Sequence, residues 1–277
     1  MNLMMLLEMA AEGMPDRVAI GSHDDGLTYA ELFARAGAAA ARFQAAPGER
    51  VVLCDESSPA VPISIFGAAW AGLPYVPLNY RLPDDDLRSL AERSSPAIAV
   101  ADAAGRARLE PVDGVETVER DQFVGDPAGP AAGVAPGDWS MDAEEIAVLL
   151  FTSGTTGAPK SAVLRHRHLV SYILSSVEFM GAGDDEATIV SVPPYHVAGV
   201  ASMLSSIYSG RRIVQLPKFD PDVWIDTVER EGVTHAMLVP TMLSRIVDAL
   251  EDRGGEPILG LRAMSYGGGK MPFPVIE

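Results

Sequence analysis

Apolar residues in this chain come in short blocks that switch between two periods. Unbroken apolar runs occupy 51–54, 75–78, 97–100 and 146–151. Runs of that length, bounded by turn residues, belong to strands buried on both faces, as in a parallel sheet. Short apolar segments at 18–20 and around Leu27, and further runs at 188–192, 212–216, 235–239 and 261–266, predict the other strands. Helical patterns lie between them. Thr28 and Glu31 form a capping box, each satisfying a free amide, so an alanine-rich helix is expected to about residue 44, ended by Pro47-Gly48. Residues 63–71 read as a helix, with Gly72 suited to its left-handed last turn. Others are expected over 168–180, over the small-residue stretch 200–209 up to Gly210, and over 241–250. Asp220-Pro221, an N-cap with proline at the first helical position, opens one more helix to 231.

Strands alternating with helices of these lengths mean an α/β fold with a largely parallel sheet. Segment 103–139 breaks the pattern. It is rich in Gly, Pro and Asp without sustained helical spacing, and is the natural place for a subdomain boundary or an exposed excursion. The chain therefore divides into 1–140 and 141–277.

Composition narrows the partners. With 48% hydrophobic and 21% charged residues, the 277-residue chain can build a sizeable core. A net charge of −17 argues against nucleic acid, whose binding needs a basic surface to displace counterions, and against an anionic membrane surface. Cys54 is the only cysteine, which excludes an internal disulfide and a cysteine-rich zinc site and favours a cytoplasmic setting. The apolar opening, residues 1–8, lacks a basic leader and is broken by Glu8, so it is not read as a signal peptide. No apolar run approaches the ~18 residues of a membrane span.

The chemistry is concentrated after the 146–151 run. Thr152, Ser153, Gly154, Thr155, Thr156 and Gly157 follow it directly, and Ala158-Pro159-Lys160 completes the segment. Such a loop offers unshielded backbone amides and four hydroxyls to a polyphosphate, with Lys160 as a point charge. A Walker loop would need glycine where Pro159 stands, and proline has no amide to give. Gly181-Ala182-Gly183 lacks the third glycine of a dinucleotide fingerprint. Zinc-protease, nucleophile-elbow and dithiol motifs do not occur.

Residues 150–160 resemble the phosphate-loop signature of the adenylate-forming superfamily, which includes acyl-CoA synthetases, luciferases and peptide-synthetase adenylation domains. Segments 27–32 and 70–79 resemble further family stretches in the right order. Pro193-Pro194-Tyr195-His196-Val197-Ala198-Gly199 is similar to the Pro-x-x-His-x-x-Gly element of acid:CoA ligases. Tyr266-Gly267-Gly268-Gly269-Lys270-Met271-Pro272 is similar to the glycine segment beside adenine. Ser161, His168 and Lys270 stand where the family commonly has Gly, Asn and Pro.

The resemblance implies the large N-terminal domain of that fold, and the reaction of a carboxylic acid with ATP to give an acyl-adenylate and pyrophosphate, followed by thioester formation with CoA. It implies Lys160 and His196 as catalytic side chains, Thr152 to Gly157 with Lys160 around the phosphates, Gly268 and Gly269 as a wall for adenine, and Mg²⁺ accompanying ATP. No acidic residue lies between Pro193 and Ser209, where peptide-synthetase domains hold an amino acid's ammonium, so an acid without an α-amine is expected. The family's Tyr-Gly-x-Thr-Glu segment, ribose contacts and lid-domain lysine have no counterpart in these 277 residues, so an incomplete domain without its C-terminal lid, and an unfinished sheet open to self-association, are expected. A non-catalytic nucleotide- or acyl-binding fragment and an enzyme that loads a carrier protein remain as alternatives.

Three features are ambiguous from sequence. Without the resemblance His196 reads as a core histidine bonded to backbone. Arg165, His166, Arg167 and His168 gather at an expected helix N-terminus, where the dipole disfavours cations, and read as a solvated surface or a phosphate attractor. Asp84, Asp85 and Asp86 read as a loop or helix start with no metal role.

Overall fold

The computed structural model describes residues 1–152 and 159–269. α1 (Met4–Gly13) leads into β1 (Val18–Ile20) and β2 (Leu27–Thr28), an antiparallel pair. α2 (Tyr29–Ala45) begins where the capping box places it: the Glu31 amide donates to the Thr28 hydroxyl at 3.2 Å, and the Thr28 amide donates to the Glu31 carboxylate at 2.8 Å. β3 (Val51–Cys54), α3 (Ala60–Ala71), β4 (Tyr75–Pro77), α4 (Asp84–Glu92) and β5 (Ala97–Ala101) then build a parallel sheet, with Gly72 closing α3 at φ 74°. The three aspartates at 84–86 fill the first turn of α4, where the helix dipole favours them.

Segment 103–139 is not an excursion in its first half. It folds as α5 (Ala103–Leu109), β6 (Val115–Glu119) and α6 (Arg120–Gly125), and β6 pairs in parallel with β5 along its whole length. Both helices are too short to display a period, and β6 is a partly exposed edge strand without an apolar run. The same sheet takes its next strands from beyond residue 140. β7 (Ile146–Thr152) lies parallel to β4 through Tyr75 and Val148, and its other edge is covered by β8 (Lys160–Arg165) in antiparallel register. The expectation of parallel neighbours and two buried faces for 146–151 is thus corrected: Leu149 and Phe151 are only half-buried, and β8, with its polar start, was not anticipated.

The second sheet is built from α7 (His166–Ser176), β9 (Ala187–Val190), α8 (Val197–Ser209), β10 (Arg212–Gln215), α9 (Pro221–Arg230), β11 (His235–Leu238), α10 (Pro240–Asp252) and β12 (Ala263–Tyr266). Its strand order is β12-β11-β9-β10-β1-β2, against β6-β5-β3-β4-β7-β8 in the first. Strands β9 to β12 are mutually parallel, and β1 joins β10 in parallel. Asp220 caps α9 through the amides of Asp222 and Val223, and Gly210 closes α8 at φ 83°.

One hydrophobic core joins the two sheets. Leu7 of α1, Phe43 of α2, Phe66 of α3 and Leu204 of α8 lie between Leu53 and Val148 of the first sheet and Val190 and Ile213 of the second. The outer face of the first sheet is covered by α4 and α5 through Leu87 and Leu109, and that of the second by α9 and α10 through Trp224 and Ile246. The result is five layers of helix, sheet, helix, sheet and helix. No helix among the described residues is long and apolar enough to cross a membrane.

The chain's first residues belong to the central layer. Leu3, Met4, Leu6, Leu7 and Ala10 are fully buried along one helical stripe. The Leu3 amide donates to Nδ1 of His166 at 3.2 Å, and His166 is 1% exposed. The basic cluster is therefore not one solvated surface. His166 is core, while Arg165 and Arg167 both pair with Glu144.

Candidate functional site

The phosphate-loop expectation falls on residues 153–158, which lie outside the described residues, but both ends of the loop are placed. Thr152 ends β7 and Lys160 starts β8, and the two are cross-strand partners. The guanidinium of Arg93 packs 4.9 Å from the Phe151 ring centroid and donates to the Pro159 carbonyl at 2.8 Å, gripping both strands of this hairpin from α4's end. Arg93 was not singled out from the sequence, because nothing near it in the chain marks it as a neighbour of the loop.

His196 sits at the N-cap of α8, just beyond the carboxyl end of β9. In the second sheet the chain runs from β9 to β10 on one side, then returns to β11 on the other. That reversal makes the carboxyl ends of β9 and β11 the expected ligand crevice of an open α/β sheet. The His196 amide donates to Pro193 O at 3.1 Å. Its ring is exposed, makes no hydrogen bond among the described residues, and packs 4.6 Å from the Tyr195 ring. The core-histidine reading is set aside on that ground. Partial burial, and then the charge of Arg81, hold its pKa below the usual histidine value, so the imidazole is neutral at pH 7.

Helix α8 turns two different faces. Val200, Met203, Leu204 and Ile207 enter the central core. Ala198, Ala201, Ser202 and Ser205 line a cavity of about 780 Å³ completed by α7 and by strands β11 and β12. Gly268 lines the same cavity, beyond the end of β12. A Cβ at Gly268 would meet Val239 Cγ1 at 3.5 Å, and one at Gly269 would meet Pro240 Cγ at 3.6 Å, so the glycine segment runs close along the end of β11. Among the described residues lining this cavity there is no Asp or Glu, although the protein carries a net charge of −17.

A second concavity of about 580 Å³ opens between the carboxyl ends of the two sheets. Arg81, Lys218 and Arg245 line it against one carboxylate among the described residues, Glu56. It is contiguous with His196 through a ring chain: Tyr80 to Tyr195 at 5.6 Å, then Tyr195 to His196. Three cations in an acidic protein make this a local attractor for anions. Sequence reading missed all three. Arg81 stands two residues past a stretch already singled out, whereas Lys218 and Arg245 carry no local signal and meet it only through the fold. Among the described residues, Lys160 lines neither cavity.

Fold and site together define a class: a layered α/β domain with a cavity of about 780 Å³ along α8 and a cationic groove between the carboxyl ends of its two sheets. The profile of the AMP-binding enzyme family matches residues 7–277, and the chain belongs to that family. It is 30% identical over 267 residues to feruloyl-CoA synthase of an Amycolatopsis species, a match covering 93% of this chain and 52% of that protein. The N-terminal domain of FACL13 from Mycobacterium tuberculosis superposes with a TM-score of 0.84 at 24% identity, covering 99% of this chain and 72% of that one. O-succinylbenzoate coenzyme A synthetase from Bacillus subtilis, solved with AMP, gives 0.81 at 22% identity, covering 98% and 55%. These two likenesses establish the fold. The chain spans about half the length of the curated relatives it matches.

Proposed function

We propose that this chain provides the nucleotide- and acid-binding part of an ATP-dependent acid:CoA ligase. The substrate carboxylate attacks the α-phosphorus of ATP and the bond to the pyrophosphate leaving group breaks; the thiol of CoA then attacks the acyl carbon, and AMP leaves with the acyl–phosphate oxygen while the thiol gives up its proton. The observation that carries the reading is the cavity whose mouth lies near His196 and Gly268 and whose lining, among the described residues, holds no carboxylate. Such a lining accepts an acid and gives no counter-charge to an α-ammonium, in keeping with a substrate lacking an α-amine.

Catalysis of this step is mostly positioning and charge neutralisation. Thr152 to Gly157 and Lys160 hold the β- and γ-phosphates. Gly268 and Gly269 border the adenine. His196, neutral and at the cavity mouth, donates a hydrogen bond to oxygen that gains charge during attack. Arg81, Lys218 and Arg245 take the phosphates of CoA in the second step. Mg²⁺ supplies further neutralisation of the phosphates when bound. Among the described residues no group of His, Cys, Asp and Glu converges to hold a metal, so no step is assigned through the ion.

Titration calorimetry with ATP, and exchange of labelled pyrophosphate into ATP over a panel of fatty and aromatic acids, test the reading. ATP binding with acid-dependent exchange supports it. Absence of any ATP binding would overturn it.

A further inference from the structure

The far end of the acyl cavity is polar, and its polarity has a definite sense. Depth follows from the strand register. His235 pairs with Ala263 and with Thr188 at the amino ends of β11, β12 and β9, while Tyr266 and Gly268 lie at the carboxyl end of the same sheet. α8 runs the opposite way, so Ser206, ten residues past His196, is ~15 Å further along the helix axis. The Arg211 amide donates to the Ser206 carbonyl at 2.9 Å, which brings Arg211 to that end as well. Both Arg211 and His235 line the cavity there.

Most of the polar capacity of these two side chains is already committed. Arg211 uses Nε and Nη2 on Glu186 Oε2, at 3.1 and 3.0 Å. Its Nη1 has no partner among the described residues. Thr234 Oγ1 accepts the Ala187 amide at 3.1 Å and donates its one proton to the Ala187 carbonyl at 3.0 Å. Toward His235 it can then only accept, so Nδ1 of His235 carries the ring proton and donates to it at 2.9 Å. Glu186 at 3.7 Å from the same nitrogen favours that tautomer. Nε2 is left as a bare acceptor. Burial first, and the charges of Arg211 and Arg262, hold His235 below the usual histidine pKa, so the ring is neutral. Charge is balanced behind the wall too, because Arg211 and Arg262 face Glu186 and Asp185.

We propose that this end of the cavity is a hydroxyl site, and that the acid preferred here carries a hydroxyl at the far end of its acyl tail. That hydroxyl accepts from Arg211 Nη1 and donates to His235 Nε2. A methyl terminus leaves one donor and one acceptor unpaired. A second carboxylate satisfies Arg211 but meets the bare nitrogen of His235 and the nearby Glu186 with no proton to give. The inference rests on the adenylation reading for the identity of the cavity.

The test measures calorimetric affinity of the 277-residue chain for three acylsulfamoyladenosines, stable mimics of the acyl-adenylate. Their tails are matched in length and end in methyl, hydroxyl or carboxylate. The hydroxyl compound should bind on the order of 10-fold tighter than the methyl compound, and tighter than the carboxylate. His235→Phe and Arg211→Met should each bring the hydroxyl-to-methyl ratio close to one. His235→Phe is the safer variant, since Arg211→Met leaves Glu186 without its bidentate partner. Methyl or carboxylate binding equal to or tighter than hydroxyl in the unmodified protein overturns the proposal, as does an unchanged ratio in folded His235→Phe. If none of the three binds, the adenylate site itself is wrong and the hydroxyl site falls with it, an outcome distinct from binding without preference.

Discussion

The hydroxyl of Thr152 donates to the backbone carbonyl of Lys160 at 3.2 Å, across the last rung of the β7–β8 ladder. The loop expected to hold phosphates is thus the connection of an antiparallel hairpin whose two ends are tied to each other. Lys160, exposed at that rung, stands at the entrance with no structural partner for its ammonium among the described residues.

Lys160→Ala should therefore leave the fold intact and weaken nucleotide handling. The melting temperature should move by no more than ~1–2 °C, as for an exposed residue. ATP affinity should fall roughly 10-fold, the scale of one lost charge-assisted contact. Calorimetry and a thermal melt on the same sample check both halves.

Arg93→Ala should act on the same loop from outside. It removes the stack on Phe151 and the bond to the Pro159 carbonyl, together ~1–2 kcal/mol of local anchoring. Hydrogen exchange of the β7–β8 amides should quicken while that of β3 and β5 stays unchanged. Equal quickening in all four strands would mean that Arg93 serves global stability instead.

His196→Ala should cost little stability, because the ring is exposed and bonds nothing among the described residues. A shift within about 0.5 kcal/mol is expected in urea unfolding. In pyrophosphate exchange the variant should need more acid and turn over more slowly, with ATP affinity nearly unchanged. A collapse of the urea midpoint would instead restore the core-histidine reading.

His166 should give the protein an acid-sensitive seam. Burial, then the nearby N-terminal ammonium, push its pKa down to about 4, below the 6.5 of an unfolded histidine. A depressed histidine pKa means that the unfolded chain takes up the proton first. This contribution is full above about pH 6.5 and is lost as pH falls toward 4, by at most ~3 kcal/mol. His166→Leu should lower stability at pH 7 by ~1–3 kcal/mol, since the Leu3 amide loses its acceptor, and should flatten the slope between those pH values. Urea unfolding of both proteins at pH 7 and pH 5 decides it.

Much of the framework was legible because its signals are local. Thr28 with Glu31, Asp220 with Pro221, and the glycines after α3 and α8 are each interpreted by their own few neighbours in the chain. What escaped depends on partners remote in sequence. β8 begins with Lys160 and Ser161 and becomes a strand only because β7 offers it an edge. The stripe of Leu3, Leu7 and Ala10 is too short to announce by its own spacing the central layer that buries it. His166 among its basic neighbours cannot be told from them without Leu3. At the candidate site, His196 and the small residues of α8 could be singled out from their own stretch of chain, whereas Arg211 and His235 come to one cavity only through the register that aligns β9, β10 and β11.

The two reacting groups of the proposed reaction, the phosphates and the acid's carboxylate, are addressed by different sheets. The hairpin beside Lys160 grows from the first sheet, and the acyl cavity and His196 belong to the second. Neither sheet alone fixes the line along which carboxylate and phosphorus approach. That line is set by the apolar layer between them, so α1, α3 and α8 work as a spacer with a length tolerance. Reaction geometry is lost steeply with displacement, about 100-fold per ångström. A core change such as Leu204→Ala could then leave each substrate bound as before while the two no longer meet. Alignment in this fold is a mechanical property of its middle, carried by residues that touch neither reactant.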